Sequence, residues 1–272
     1  MKNTSRLNLR AAGLTAALLL TFAGCATAPT DPEELAEYNE INDPLEPANR
    51  AVFEINLYLD RLILRPVAWT YREVVPDPTR EVVTNFLNNL RSPYTFANDM
   101  LQGEVDRAGV TVARFLINTT IGIGGLADVA GNIFGLDYHA EDVGQTFAVW
   151  GAESGPYLMI PVIGPSNPRD AIGLGIEYFV EPVNWFLHEK NAGEWALVRT
   201  GANAIDQRHQ VLDTLDALER TSLDYYAQIR SISRQRRLDE IRNKASGGTT
   251  APQPLGDAGG ETDKQAAAES GR

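Results

Sequence analysis

The chain has a single cysteine, and its position constrains whatever folds behind it. Cys25 closes a leader in which Lys2, Arg6 and Arg10 form a basic start, Ala11 to Phe22 an apolar run, and Ala23-Gly24 the small residues just before the thiol. This is the layout of a secretion signal whose cleavage site abuts a thiol. It resembles a bacterial lipobox, with Phe22 standing where Leu is usual. The reading predicts that residues 1–24 are a signal peptide and that Cys25 is acylated and becomes the mature N-terminus. Ala26 rather than Asp follows the cysteine, so the expected destination is the outer membrane, facing the periplasm. A body held there by acyl chains has lipid as well as its own core in which to place apolar side chains.

Charge narrows the partners. The formal net charge is −12, and loss of the three basic leader residues makes it −15. An acidic chain lacks the basic face that nucleic acid needs and gains nothing from anionic lipid surfaces. One thiol permits no internal disulfide. Residues 25–41, rich in Ala, Thr, Pro and Glu, read as a tether. Residues 245–272 carry almost no large apolar side chains and read as a disordered tail. The folded body is expected over residues 42–244.

That body reads as all-α. Asp43-Pro44, Asp77-Pro78, Ser92-Pro93 and Asn167-Pro168 each place an N-cap residue before a proline. Val82, Val83, Phe86, Leu87 and Leu90 recur at helical spacing, and a separate short helix is expected from Pro93 to about Gly103. Val105, Val112 and Leu116 continue in another. Near the C-terminus Ile205, Leu212, Leu215 and Leu218 form a stripe, Thr221 or Ser222 recaps the chain, and Tyr225, Ile229 and Ile232 carry the last helix. Its charged residues, Arg230 to Arg242, read as a solvated face.

Two segments depart from amphipathic helix. Phe115 to Leu136 is apolar on nearly all sides and glycine-rich. Thr146 to Pro168 reads as an extended hairpin around Gly151–Gly155, followed by a proline-studded apolar loop. A span needs about 20 largely apolar residues, and prolines, glycines and Asp128 interrupt both. Segments of this kind fit a protein core or a dip into one leaflet.

No constellation calls for an enzyme, a cofactor or a metal. Gly122, Gly124 and Ala127 match a dinucleotide fingerprint, with Glu141 near the acidic position, but helical caps surround them where a βαβ unit is required. Ser154 lies in Gly151-Ala-Glu-Ser-Gly155, with the first glycine displaced from a nucleophile elbow. His139, His188 and His209 have no second His or Cys at ligand spacing, and His139-Ala-Glu141-Asp142 reads as a polar loop, with weak cation binding as its alternative.

A run of motifs then resembles one family. Asn42-Asp-Pro-Leu-Glu46, Asn49-Arg50 and Phe53-Glu-Ile-Asn56 resemble the opening of the MlaA (VacJ) outer-membrane lipoproteins, with Ile55 where the family commonly has an aromatic. Arg65-Pro66-Val67, Val75-Pro76, Asn118-Thr-Thr-Ile-Gly-Ile-Gly-Gly125, Asp128-Val-Ala130, Gly144-Gln-Thr146, Trp150-Gly151, Gly155-Pro-Tyr-Leu158, Gly164-Pro-Ser166 and Arg169-Asp170 follow in order. The resemblance implies a compact helical ring or disc in the inner leaflet of the outer membrane, around an amphipathic channel. It implies removal of mislocalised phospholipid from the outer leaflet, association with a trimeric porin, and delivery to a periplasmic carrier of the MlaC type that serves an inner-membrane transporter. Phe53, Asn56, Ile121, Gly122, Gly124, Gly125, Ile133 and Phe134 are the expected lipid path, the glycines allowing bending and close packing. The alternative is a structural lipoprotein that scaffolds another envelope protein.

Overall fold

The structure, a computed structural model, describes residue 31 and residues 41–190 and 192–243. The leader, Cys25, most of the tether and the tail lie outside the described residues. The fold is all-α apart from one two-stranded hairpin.

Helix α1 (Glu46–Leu59) runs through a π-helical turn at Asp60–Leu64 into α2 (Arg65–Val74). The irregular turn has a local cause. Pro66 has no N–H for the preceding turn and its ring crowds the carbonyl four residues back. The ladder widens there, the Arg65 amide bonding Asp60, a common way for a helix to absorb such a residue. Helix α3 (Asp77–Gln102) ends at Gly103 in the left-handed region (φ 81°), and α4 (Val105–Thr120) returns along it. Cross-links at both ends fix that antiparallel pair: Thr111 Oγ1 donates to Asp99 Oδ2 (2.7 Å) and Asn89 Nδ2 to Thr119 Oγ1 (3.0 Å).

A glycine-rich turn leads to α5 (Val129–Phe134). An irregular stretch precedes α6 (Val143–Val149), then come β1 (Leu158–Ile160) and β2 (Gly164–Ser166). The strands are antiparallel, with Leu158 opposite Ser166 and Ile160 opposite Gly164. Helices α7 (Pro168–Val180), α8 (Pro182–Glu189), α9 (Gly193–Gln210), α10 (Leu212–Thr221) and α11 (Tyr225–Ile241) complete the described chain.

The capping expectations divide. Asn167 caps α7 by accepting from the Asp170 amide (3.0 Å). Asp77, by contrast, already lies in the first turn of α3, with Pro76 at the cap. Ser92-Pro93 starts no helix: α3 continues through it, and Ser92 turns its hydroxyl back to the Asn88 carbonyl (3.2 Å). Tertiary contacts on both sides of Pro93 override the local break. Asp43 does not cap α1. It is buried, accepting from Asn49 Nδ2 (2.7 Å), the Tyr226 hydroxyl (2.5 Å) and Arg230 Nη1 (2.7 Å). Asp224, not Thr221 or Ser222, caps α11 through the Ala227 amide (3.1 Å).

The hairpin also differs from expectation. Gly151–Gly155 is an irregular link, and the strands form inside the proline-studded segment, turning at 161–163. What holds them is a row of asparagines seven residues apart. Asn42 Nδ2 donates to the Gly155 carbonyl (2.9 Å). Asn49 donates to the Tyr157 carbonyl (3.0 Å) and accepts from the Met159 amide (2.9 Å). Asn56 donates to the Ile160 carbonyl (2.9 Å) and accepts from the Val162 amide (2.7 Å). Side-chain amides thus pair a short edge that has only one β partner.

The charged residues of α11 divide: Arg234, Arg236, Asp239 and Arg242 are exposed as expected, whereas Arg230 and Arg237 turn inward. Arg237 reaches Asp142 (2.7 and 2.8 Å) and Asp170 (2.8 Å), and Arg230 reaches Asp43. These are inward ion pairs that tie the last helix to α6, α7 and the start of α1.

Candidate functional site

The distribution of polarity defines the site. Among the described residues, buried polar and charged side chains outnumber buried apolar ones. The apolar core is a small cluster of Phe53, Tyr157, Met159 and Tyr226, with Phe53 ring-to-edge against Tyr225 and Tyr226 at 5.5 Å. Meanwhile Leu62, Ile63, Trp69, Ile123, Ile133, Phe134, Phe179, Trp185, Trp195 and Leu197 are each more than half exposed. Water-soluble folds bury such residues and rarely expose them in such number.

Helix α3 stands between two features. One of its faces carries Asn85, Asn88, Asn89 and Ser92, which with Arg114, Asn118, Asp128 and Tyr138 line a narrow polar cleft. Its volume of about 10 Å³ has room for roughly one water. Asp128 organises the far wall: it accepts from Arg114 Nη2 (3.0 Å to each oxygen), Asn118 Nδ2 (2.9 Å) and the Gly131 amide (3.0 Å). Burial pushes the Asp128 carboxyl up, but these donors and the Arg114 charge more than reverse that and hold it below the usual carboxylate range.

The other face of α3 presents Val82, Val83, Phe86, Leu87 and Leu90. With Phe186, Trp195, Val198 and Ala202 of α8 and α9 these residues line an apolar groove of about 680 Å³. That lies in the range of small-molecule pockets. Leu126 also lines the groove, and its carbonyl is 3.5 Å from Asn85 Nδ2 at the cleft. Apolar and polar compartments therefore meet at the glycine-rich turn.

That turn explains its glycines. Gly124 (φ 73°) and Gly125 (φ 91°) occupy the left-handed region, which L side chains avoid. A Cβ on Gly125 would lie 2.5 Å from Asn89 of the cleft, and one on Gly122 would lie 2.3 Å from the Ala127 carbonyl oxygen. Ile121, Gly122, Gly124, Gly125, Ile133 and Phe134 thus share one lobe beside the cleft, and the isoleucines and Phe134 are exposed. Phe53 and Asn56 are placed elsewhere: Phe53 in the aromatic cluster, Asn56 on the hairpin. The cleft and groove residues were not anticipated, although Asn85, Asn88, Asn89 and Ser92 have the i, i+3, i+4, i+7 spacing of a polar helical stripe.

The remaining motif candidates fall outside this site. A helix, α4, precedes Gly122-x-Gly124, where a dinucleotide fold has a strand. Ser154 is exposed and donates to its neighbour's carbonyl at Gly155 (3.2 Å). No described helix is long and apolar enough to cross a membrane.

The fold and site define a class: a mainly helical protein that turns apolar side chains outward and keeps a polar cleft inside. Comparison with known proteins gives it a family. The family model described as MlaA lipoprotein matches residues 41–240. The intermembrane phospholipid transport system lipoprotein MlaA of Escherichia coli (strain K12) is 36% identical over 251 residues, covering 91% of this chain and 92% of that protein. The protein of that name from Haemophilus influenzae is 32% identical over 210 residues, covering 76% of this chain and 80% of its own. An uncharacterized protein of Rickettsia bellii is 38% identical over 199 residues, covering 73% and 76%. A solved structure from work on the structural basis for maintenance of bacterial outer membrane lipid asymmetry superposes with a TM-score of 0.62 at 35% identity, covering 73% of this chain and 98% of that one. The chain belongs to the MlaA lipoprotein family.

Proposed function

We propose that this protein is an intermembrane phospholipid transport lipoprotein that maintains outer-membrane lipid asymmetry. The observation that carries this reading is the juxtaposition of an apolar groove and a polar cleft on opposite faces of α3, inside an apolar exterior. A phospholipid has the same two chemistries. Its acyl chains suit the groove, where the one charged lining residue, Arg199, is paired with Glu181, and its headgroup suits the cleft, which asparagine amides and Arg114 line. The exposed Ile121, Ile123, Ile133 and Phe134 lie among lipid tails of one leaflet. Transport needs no covalent chemistry, and the protein acts without an enzyme's catalytic set.

In this reading Cys25 carries the acyl anchor, the body sits in the periplasm-facing leaflet of the outer membrane beside a trimeric porin, and the lipid leaves to a soluble carrier of the MlaC type. The cleft as described is too narrow for a headgroup, so passage requires it to widen, and the left-handed turn at 123–125 borders the wall that must move.

Narrowing the groove tests the assignment. Ala202→Trp places an indole among its lining residues without touching the cleft. Protein purified in mild detergent should carry phospholipid by mass spectrometry, and the variant should carry several-fold less at equal abundance. Its cells should accumulate outer-leaflet phospholipid. Wild-type protein without bound phospholipid, or a variant that retains a full complement, overturns the assignment of the groove.

A further inference from the structure

Away from the cleft, the other end of the α3–α4 pair buries a second set of groups. Asp99 of α3 has no exposed surface and Glu141 is 1% exposed. His139, on the irregular stretch before α6, packs between them. One oxygen from each carboxylate and one nitrogen of His139 all lie within 4.8 Å of one another. His139 Nε2 is 3.0 Å from Asp99 Oδ1 and 3.2 Å from Oδ2.

The surroundings of these atoms are built. Thr111 Oγ1 donates to Asp99 Oδ2 (2.7 Å) and lies 3.2 Å from His139 Nε2. Gln102 Nε2 donates to Glu141 Oε2 (2.9 Å) and Arg107 Nη2 to Glu141 Oε1 (2.6 Å). Each carboxylate is thus held in orientation by an outer donor. Metal sites place such partners behind their ligands, and removing one typically costs about 10–100-fold in affinity. With His139 neutral, as a metal ligand must be, two buried carboxylates face one guanidinium, an excess negative charge where there is little water to solvate it. Burial of unbalanced charge is costly unless something compensates it.

We propose that Asp99, His139 and Glu141 bind a divalent transition-metal cation of the zinc type. An imidazole beside two carboxylates favours zinc over calcium or magnesium, which prefer oxygen alone. Ligands arranged tetrahedrally around one zinc at about 2.0–2.2 Å lie about 3.3–3.6 Å apart. His139 Nε2 already stands 3.0 and 3.2 Å from the Asp99 oxygens, and closing on the ion asks the cluster, within 4.8 Å now, to contract by up to about 1 Å. The bound ion joins α3 to the stretch that carries Asp142, the cap of α6. It is a structural cross-link in a fold that has no disulfide. Sequence spacing offers His139 and Glu141 but conceals the third ligand, because Asp99 stands 40 residues before His139 and on another element.

The test uses full-length protein in detergent, stripped with a chelator and titrated with zinc chloride against a chromophoric competitor, with thermal unfolding measured in parallel. One zinc per chain should bind saturably and raise the unfolding temperature. His139→Gln and Asp99→Asn should each weaken binding at least tenfold, and Thr111→Val about tenfold through the outer contact. His209→Gln, beside Asp206 and remote from the cluster, should leave it unchanged. Wild-type protein that takes up no stoichiometric zinc overturns the proposal whatever the variants do. So does zinc binding that survives both ligand substitutions.

Discussion

At the scale of single residues, asparagine does the work that backbone does in other folds. Asn49 satisfies both the Tyr157 carbonyl and the Met159 amide in a buried setting. Asn49→Ala would leave both unpaired, at a cost of about 2–5 kcal/mol, measurable by urea unfolding in detergent. Asn49→Asp should cost more still, because its carboxylate would face the buried Asp43 carboxylate across the 2.7 Å contact that the amide now makes. Asp142 gives a prediction in pH. Burial pushes its carboxyl up, but the hydrogen bonds and charge of Arg237, with the Gln145 amide, more than reverse this and hold it at about 2. The folded value lies below the unfolded one, so the stabilisation is complete above the model-peptide range and lost as pH falls toward the folded value. About 2 kcal/mol should disappear between about pH 4 and pH 2. Arg237→Leu should lower stability at neutral pH and flatten that acid limb. The cap at Asn167 could be read from its neighbours alone. The burial of Asp43 could not, because its partners Tyr226 and Arg230 lie far along the chain and no local pattern names them.

At the scale of elements, the turn between α4 and α5 separates two kinds of glycine. Gly122 and Gly125 have no space for a Cβ, whereas Gly124 has space but a left-handed backbone. Gly124→Ala should therefore cost only about 1 kcal/mol of backbone strain. Gly122→Ala, which drives a methyl into a backbone carbonyl, should cost more, on the order of 2–3 kcal/mol. Thermal unfolding of the two variants ranks them, and an inverted order contradicts the close-packing account. Helix periodicity and glycine clustering made these elements legible, because both are local signals. The continuity of α3 through Ser92-Pro93 was not, since packing along its whole length outweighs one missing hydrogen bond. The two faces of α3 were partly legible: its apolar stripe stands out, and the asparagines beside it carry the same period.

At the scale of the whole molecule, the exposed apolar surface should meet lipid. Trp69, Trp185 and Trp195 are each more than half exposed. In single-tryptophan variants reconstituted with brominated phospholipid, their emission should be quenched strongly. Emission unchanged from that in ordinary lipid would remove these faces from the bilayer. Composition hid this inversion, because it counts side chains without saying which way they point. The resemblance to known motifs supplied it instead.

The ion pairs of α11 carry a further consequence, for how the chain reaches its native state. Asp43 lies at the beginning of the described body, and its buried carboxylate is neutralised by Arg230, 187 residues later. Tyr226 on the same helix closes the aromatic cluster around Phe53. Contacts of such separation form late and slowly, because loop closure must precede them. The Asp43 carboxylate therefore cannot be buried with its partner until the last helix has been synthesised and docked. Until then the chain is a string of amphipathic helices without a finished core, and its apolar faces have nothing of its own to pack against.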